Sequence, residues 1–172
     1  ETRTMQGPTG SDRTLTVPLP VKVIVAGGFA VGKTTTVGAI SDIEPLTTEA
    51  AITQVSVGVD DMTGAEDKRS TTVAMDFGRV GLGPELVLYL FGTPGQERFR
   101  CMWDDLVRGA VGAVVLVDTT RLADCFPAID YFESRDVPFV VALNCFHGQV
   151  THGVEEVREA LQIDGGVPMI LM

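Results

Sequence analysis

The sequence predicts a three-layer α/β domain, with a mostly parallel sheet, one antiparallel hairpin strand, and helices on both faces. Three observations predict it. Short β-branched apolar runs alternate along the chain with segments of helical periodicity. The first of these runs ends in glycines that open directly into a helical segment. An early pair of runs is joined by a few residues around Gly81 to Pro84, too short for a crossover and right for a hairpin.

The first strand starts at Val21 and reads VKVIVAGG, a buried strand running into a tight turn. Behind the turn, Val37, Ile40 and Ile43 recur at the spacing of a helix face. The stretch from Asp42 to Ser70 is polar and weakly periodic, and its length marks it as a functional or mobile loop. TTVAMDFGRV and ELVLYLFG then form the hairpin pair. In ERFRCMWDDLVRG, residues Phe99, Met102, Trp103, Leu106 and Val107 make the core-facing stripe of a helix that Gly109 stops. AVGAVVLVD is a buried strand, DCFPAIDYFES a helix with Asp124 as N-cap, and VPFVVALN another buried strand. GVEEVREALQI is an amphipathic helix closed by Gly165 and Gly166, and VPMILM begins a further strand.

A chain of 172 residues, 45% of them hydrophobic, fits one domain over residues 15–172. Residues 1–14 are polar, without periodicity and without the apolar core of a signal peptide, and read as a flexible leader. The chain does not open on Met, and Met5 is a candidate for the true start. A net charge of −10 speaks against nucleic-acid and anionic-membrane partners, which need clustered cations. Cys101, Cys125 and Cys145 show neither disulfide nor zinc spacing, as expected of a reducing, cytoplasmic setting. No apolar run approaches the roughly 20 residues of a membrane span.

Gly27-Gly28-Phe29-Ala30-Val31-Gly32-Lys33-Thr34 matches G-x-x-x-x-G-K-S/T in full, between a strand and a helix. The glycines let the backbone curl so that successive N–H groups converge on phosphate oxygens at a helix N-terminus. Lys33 supplies a point charge for the β- and γ-phosphates, and the Thr34 hydroxyl is a candidate ligand of Mg²⁺. Gly27, Gly28, Val31, Gly32, Lys33, Thr34 and Thr35 are therefore candidate nucleotide contacts.

A second cluster, Thr93-Pro94-Gly95-Gln96-Glu97, follows the second hairpin strand, and here the chain resembles the Ras-like small GTPases, whose second phosphate loop reads D-T-A-G-Q-E. The resemblance implies that Gly95 offers its N–H to the γ-phosphate and that Gln96 orients the attacking water. The family's loop-heading Asp, which holds Mg²⁺ through water, corresponds to Gly92, so Mg²⁺ would lean on Thr34, phosphate and water. Asp118 closes an apolar run, as a strand-end residue or as a stand-in for that acid. Thr72-Val73-Ala74-Met75-Asp76-Phe77 is similar to the T-I-G-V-D-F run of Rab-like members, which makes Thr72 the candidate to close over Mg²⁺ and the γ-phosphate, with Thr71 as the fallback. Arg69 beside it is either a solvated loop cation or an intrinsic arginine finger. Where the family carries N-K-x-D, this chain has Asn144-Cys145-Phe146-His147. Asn144 remains as a nucleotide-site candidate, while the carboxylate that reads guanine is replaced by His147.

The long first-switch loop, the F-G-T-P-G-Q-E hairpin end and N-C-F together look like the small GTPases of bacterial conservon operons, relatives of the Mgl-type polarity GTPases. That resemblance implies a roadblock-fold partner, a histidine-kinase-like membrane protein, and cytoplasmic placement with peripheral recruitment to the membrane. It also places a closing helix after VPMILM, absent from this chain; without it an apolar sheet face would favour association. Three readings stay open at this stage. The first is a switch that binds GTP or GDP with Mg²⁺ and hydrolyses slowly. The second is a degenerate nucleotide-binding adaptor, which the changes at Gly92, Cys145 and His147 would suit. The third is a P-loop ATPase, which needs no guanine-reading Asp.

Overall fold

The computed structural model describes residues 17–52, 71–148 and 152–172. In chain order the elements are β1 (Leu19–Gly27), α1 (Lys33–Ile40), β2 (Leu46–Ile52), β3 (Thr71–Leu82), β4 (Leu86–Gly92), α2 (Trp103–Val107), β5 (Gly112–Asp118), α3 (Phe126–Glu133), β6 (Phe139–Asn144), α4 (Val154–Leu161) and β7 (Met169–Leu171). The strands form one sheet in the order β2-β3-β4-β1-β5-β6-β7. β1 runs parallel to β4 and β5, and β6 runs parallel to β5 and β7. β3 runs against both of its neighbours, so it is the reversed strand of the predicted hairpin.

The apolar runs are near-continuous because both sheet faces are covered. From β1 and β5, Ile24, Ala26, Val115 and Val117 pack with Trp103, with Ala128, Ile129 and Phe132 of α3, and with Val157 and Leu161 of α4. Val25 and Leu116, alternating with them, point to the other face and meet Val37 of α1, Leu90 and Ala142. This alternation within single strands makes the three layers.

Four expectations are corrected. Part of the stretch expected to be loop, Leu46–Ile52, is an edge strand, paired from Leu46 opposite Phe77 to Ile52 opposite Thr71. The strand is hidden in the sequence because its residues carry no regular apolar alternation. The helix expected after Gly95 is split into a 3-10 segment, Glu97–Met102, and the short α2. Asp124 is not the N-cap of α3; Cys125 holds that position, and Asp124 faces the Arg121 guanidinium at 3.6 Å. α4 closes at Gln162, in the left-handed region at φ 54°, rather than at the glycines. Burial of Ile163 and the bond from its N–H to the Arg158 carbonyl at 3.2 Å fix that earlier stop.

None of the three cysteines forms a disulfide, and no helix among the described residues is long and apolar enough to cross a membrane. The proposed leader, residues 1–14, and Arg69 lie outside the described residues.

Candidate functional site

In a parallel sheet the crevice that takes a ligand opens at the carboxyl ends of the strands, where the direction of winding reverses. Here β1 lies between β4 and β5, and the glycine loop leaves β1 at that point. Gly32 sits at φ 99° with no side-chain cap for α1, so the first N–H groups of the helix have no partner from a capping residue. A Cβ on Gly32 would stand 2.6 Å from Asn144 Nδ2. That amide nitrogen, at the end of β6, donates to the Val31 carbonyl at 2.9 Å and pins the loop to the sheet.

Lys33 is buried, and its ammonium donates to the carbonyls of Gly28 and, at 3.0 Å, Gly27. Burial pushes its pKa down to about 8, against the opposing pull of the negative charge on Asp76. Gly95 lies so close that a Cβ there would meet Lys33 Nζ at 2.7 Å. The loop, Lys33, Thr34, Thr35, Asp76 and the segment Thr93 to Gln96 together line a cavity of about 390 Å³.

Asp76 is the residue that sequence reasoning missed as a site candidate. It lies in β3, is buried, and its Oδ2 accepts the Thr34 hydroxyl proton at 2.7 Å. The register pairs Phe77 with Phe91, so Asp76 comes beside Gly92. A Cβ built on Gly92 would stand 3.0 Å from Asp76 Cβ and 3.1 Å from Oδ2. The Asp76 carboxylate thus lies where a side chain at position 92 would have to go, and the glycine makes room for it. The sequence signal was present, since Asp76 sits in the segment that nominated Thr72.

Thr93 Oγ1 is buried beside the same cavity without a hydrogen-bond partner among the described residues. Gln96 is exposed at its rim. Thr72 lies in β3 opposite Ala51, four positions before Asp76. Asp118 is engaged structurally: Oδ1 accepts from Thr120 N and Oγ1 at 2.9 and 2.6 Å, and Oδ2 from Arg121 Nε at 3.0 Å. Burial alone would raise its pKa, and these hydrogen bonds outweigh that and hold it below the ordinary carboxylate value. Among the described residues, no group of three or more His, Cys, Asp or Glu is placed to hold a metal by itself.

Residues 25–165 match the family described as conserved hypothetical ATP binding protein. The chain belongs to that family. A relative, the uncharacterized protein MJ1339 of Methanocaldococcus jannaschii, is 27% identical over 72% of this chain and 69% of its own length. The Ras-related protein RABA5e of Arabidopsis thaliana is 31% identical over 58% of this chain and 38% of its own. Among solved structures, the cytosolic domain of the T. maritima FeoB iron transporter in GDP form superposes with a TM-score of 0.62 at 15% identity, covering 91% of this chain and 57% of that one. The G domain of the same transporter gives 0.61 at 16% identity, over 90% and 87%. The chain therefore spans somewhat more than half of that cytosolic domain. At such identities the likeness establishes the fold, and it is that of P-loop G domains.

Proposed function

We propose that this ATP-binding-family protein is a small switch that binds guanine nucleotide with Mg²⁺ and slowly hydrolyses GTP to GDP in bacterial signalling. The observation that carries the reading is the convergence of Lys33, Thr34, Asp76, Gly95 and Gln96 on one cavity at the helix N-terminus. The backbone N–H groups from Gly28 to Thr35 and the Lys33 ammonium bind the phosphates, Lys33 turning part of its hydrogen bonding from the Gly27 and Gly28 carbonyls to phosphate oxygen. Gln96 holds the attacking water in line, which is most of what a protein contributes to this reaction. Magnesium, when bound, neutralises charge on the β- and γ-phosphates. The oxygen donors present suit it: the Thr34 hydroxyl, the Asp76 carboxylate beside it, and the unpartnered Thr93 hydroxyl nearby. Thr72 joins them when the first switch closes.

Support for guanine comes from the Ras-related relative and from the GDP form of the FeoB neighbour. The narrower kinship with conservon-type GTPases rests on the N-C-F and F-G-T-P-G-Q-E motifs, and the roadblock-fold partner, the histidine-kinase-like partner and membrane recruitment rest on that kinship alone. A second reading, an ATPase, is favoured by the family's description and by the absence of a carboxylate at His147 for the guanine edge.

Single-turnover hydrolysis of GTP and of ATP by wild type and Gln96→Leu tests the proposal. GTP should be cleaved by wild type and about a hundredfold more slowly by the variant at unchanged affinity. Cleavage of ATP alone, or a variant as fast as wild type, would overturn it.

A further inference from the structure

The turn that follows β5 carries a guanidinium with no task in the site described above. Arg121 Nε donates to Asp118 Oδ2 at 3.0 Å, and Nη1 faces Asp124 Oδ2 at 3.6 Å. Asp118 is the last residue of β5 and is buried, so one prong of the fork is fixed to the sheet. The remaining nitrogen, Nη2, donates to the Phe29 carbonyl at 3.4 Å, across 92 positions of chain. A planar guanidinium with two nitrogens engaged has its third aimed. The same turn packs directly on the loop, since a Cβ on Gly28 would stand 2.7 Å from Asp124 Cβ.

The bond bears on the next residue. Ala30 sits at φ 58°, a left-handed conformation that costs a residue with a Cβ energy and persists where the surroundings hold it. The carbonyls on both sides of Ala30 are tied, that of Phe29 by Arg121 and that of Val31 by Asn144 at 2.9 Å. The Phe29–Ala30 peptide is trans, so its carbonyl and its N–H point to opposite sides. With the carbonyl turned to Arg121, the Ala30 N–H points away from it. Ala30 lines the 390 Å³ cavity, and Arg121 lies outside that lining.

We propose, on the reading that this cavity binds phosphates, that Arg121 is a positioning residue: it holds the Phe29–Ala30 peptide with its N–H turned to the ligand. Arg121 acts through the backbone and not by contact with phosphate. A peptide released from it can turn its carbonyl oxygen toward the anion, exchanging attraction for repulsion. The effect concerns phosphates alone and is therefore the same whatever base the ligand carries.

Calorimetric titration of nucleotide-stripped wild type, Arg121→Ala and Arg121→Lys with GDP, ADP and inorganic pyrophosphate in Mg²⁺ tests this. Urea midpoints show that each variant folds, and NMR of isotope-labelled protein follows the Ala30 amide. Arg121→Ala should bind each compound that wild type binds about fivefold more weakly, by the same factor throughout. Arg121→Lys keeps the charge and the pairing with Asp118 but has one nitrogen in place of a fork, so its affinity should stay within about twofold of Arg121→Ala. Pyrophosphate should shift the Ala30 amide resonance in wild type and shift it less in saturated Arg121→Ala, a change that lost stability alone would not produce. Wild-type affinity in Arg121→Ala, full recovery in Arg121→Lys, a loss confined to the nucleotides, or an Ala30 amide that pyrophosphate leaves unmoved in wild type would each overturn the assignment. Equal weakening of GDP and ADP that wild type binds alike would sink the guanine reading while supporting the role of Arg121. A wild type that binds none of the three would remove the phosphate site, and that role with it.

Discussion

Replacing Asp76 by Asn keeps the shape of the side chain and removes its charge. In the structure the Thr34 hydroxyl donates to Asp76 Oδ2 at 2.7 Å, a bond to a buried, ionisable acceptor. Hydrogen bonds to charged groups contribute about 1.5–3 kcal/mol, so if Asp76 orients Thr34 for Mg²⁺, its loss costs about 10- to 150-fold in Mg²⁺-dependent affinity. The measurement is GDP binding by calorimetry in Mg²⁺ and in EDTA, with urea midpoints to show that the fold survives. Wild type should gain affinity from Mg²⁺ and Asp76→Asn should lose most of that gain. In EDTA the variant should bind at least as well as wild type, because one negative charge near the phosphates is gone. Gly92→Asp alone should be destabilising, since its Cβ would meet Asp76 Cβ at 3.0 Å. Combined with Asp76→Ala it should restore Mg²⁺ dependence by placing a carboxylate in the vacated space. A variant Asp76→Asn with full Mg²⁺ dependence would refute the assignment.

The Lys33 ammonium begins to lose its proton near pH 8 in the free protein, and bound phosphates raise that value, so above it binding takes up a proton. Nucleotide affinity should thus be level below about pH 7 and fall by up to about tenfold per unit above about pH 8, and a flat profile by calorimetry to about pH 10 would contradict the burial of Lys33. Asn144→Ala removes the bond to the Val31 carbonyl and should weaken nucleotide binding about fivefold, or about 1 kcal/mol, with a faster nucleotide off-rate in stopped flow. Phe132→Ala, in a fully buried site against Trp103, Tyr131 and Phe139, should cost about 3–5 kcal/mol in urea unfolding.

The fold was legible because each buried parallel strand announces itself as a local apolar run, and each run was followed by a periodic segment. The phosphate loop was legible for a similar reason, since Gly27 to Thr34 is one continuous segment. β2 was not, because an edge strand held by backbone pairing to β3 carries no apolar alternation to read. Asp76 escaped notice as a site residue because its meaning depends on register. It meets Thr34 across 42 positions and Gly92 across two strands, and neither contact leaves a trace in spacing. The one clue was the pair of facts that position 92 lacks an acid and that the hairpin partner carries one. The cap at Cys125 and the stop at Gln162 were missed because packing of Ile129, Phe132 and Ile163 overrides the local preference of Asp and Gly.

The central claim is that the cavity above α1 holds guanine nucleotide, and calorimetric titration of nucleotide-stripped protein with GDP, GTP, ADP and ATP, with and without Mg²⁺, tests it most directly. GDP and GTP should bind, more tightly with Mg²⁺, and ADP and ATP clearly more weakly; no binding, or adenine nucleotides bound as well as guanine nucleotides, would contradict a guanine site.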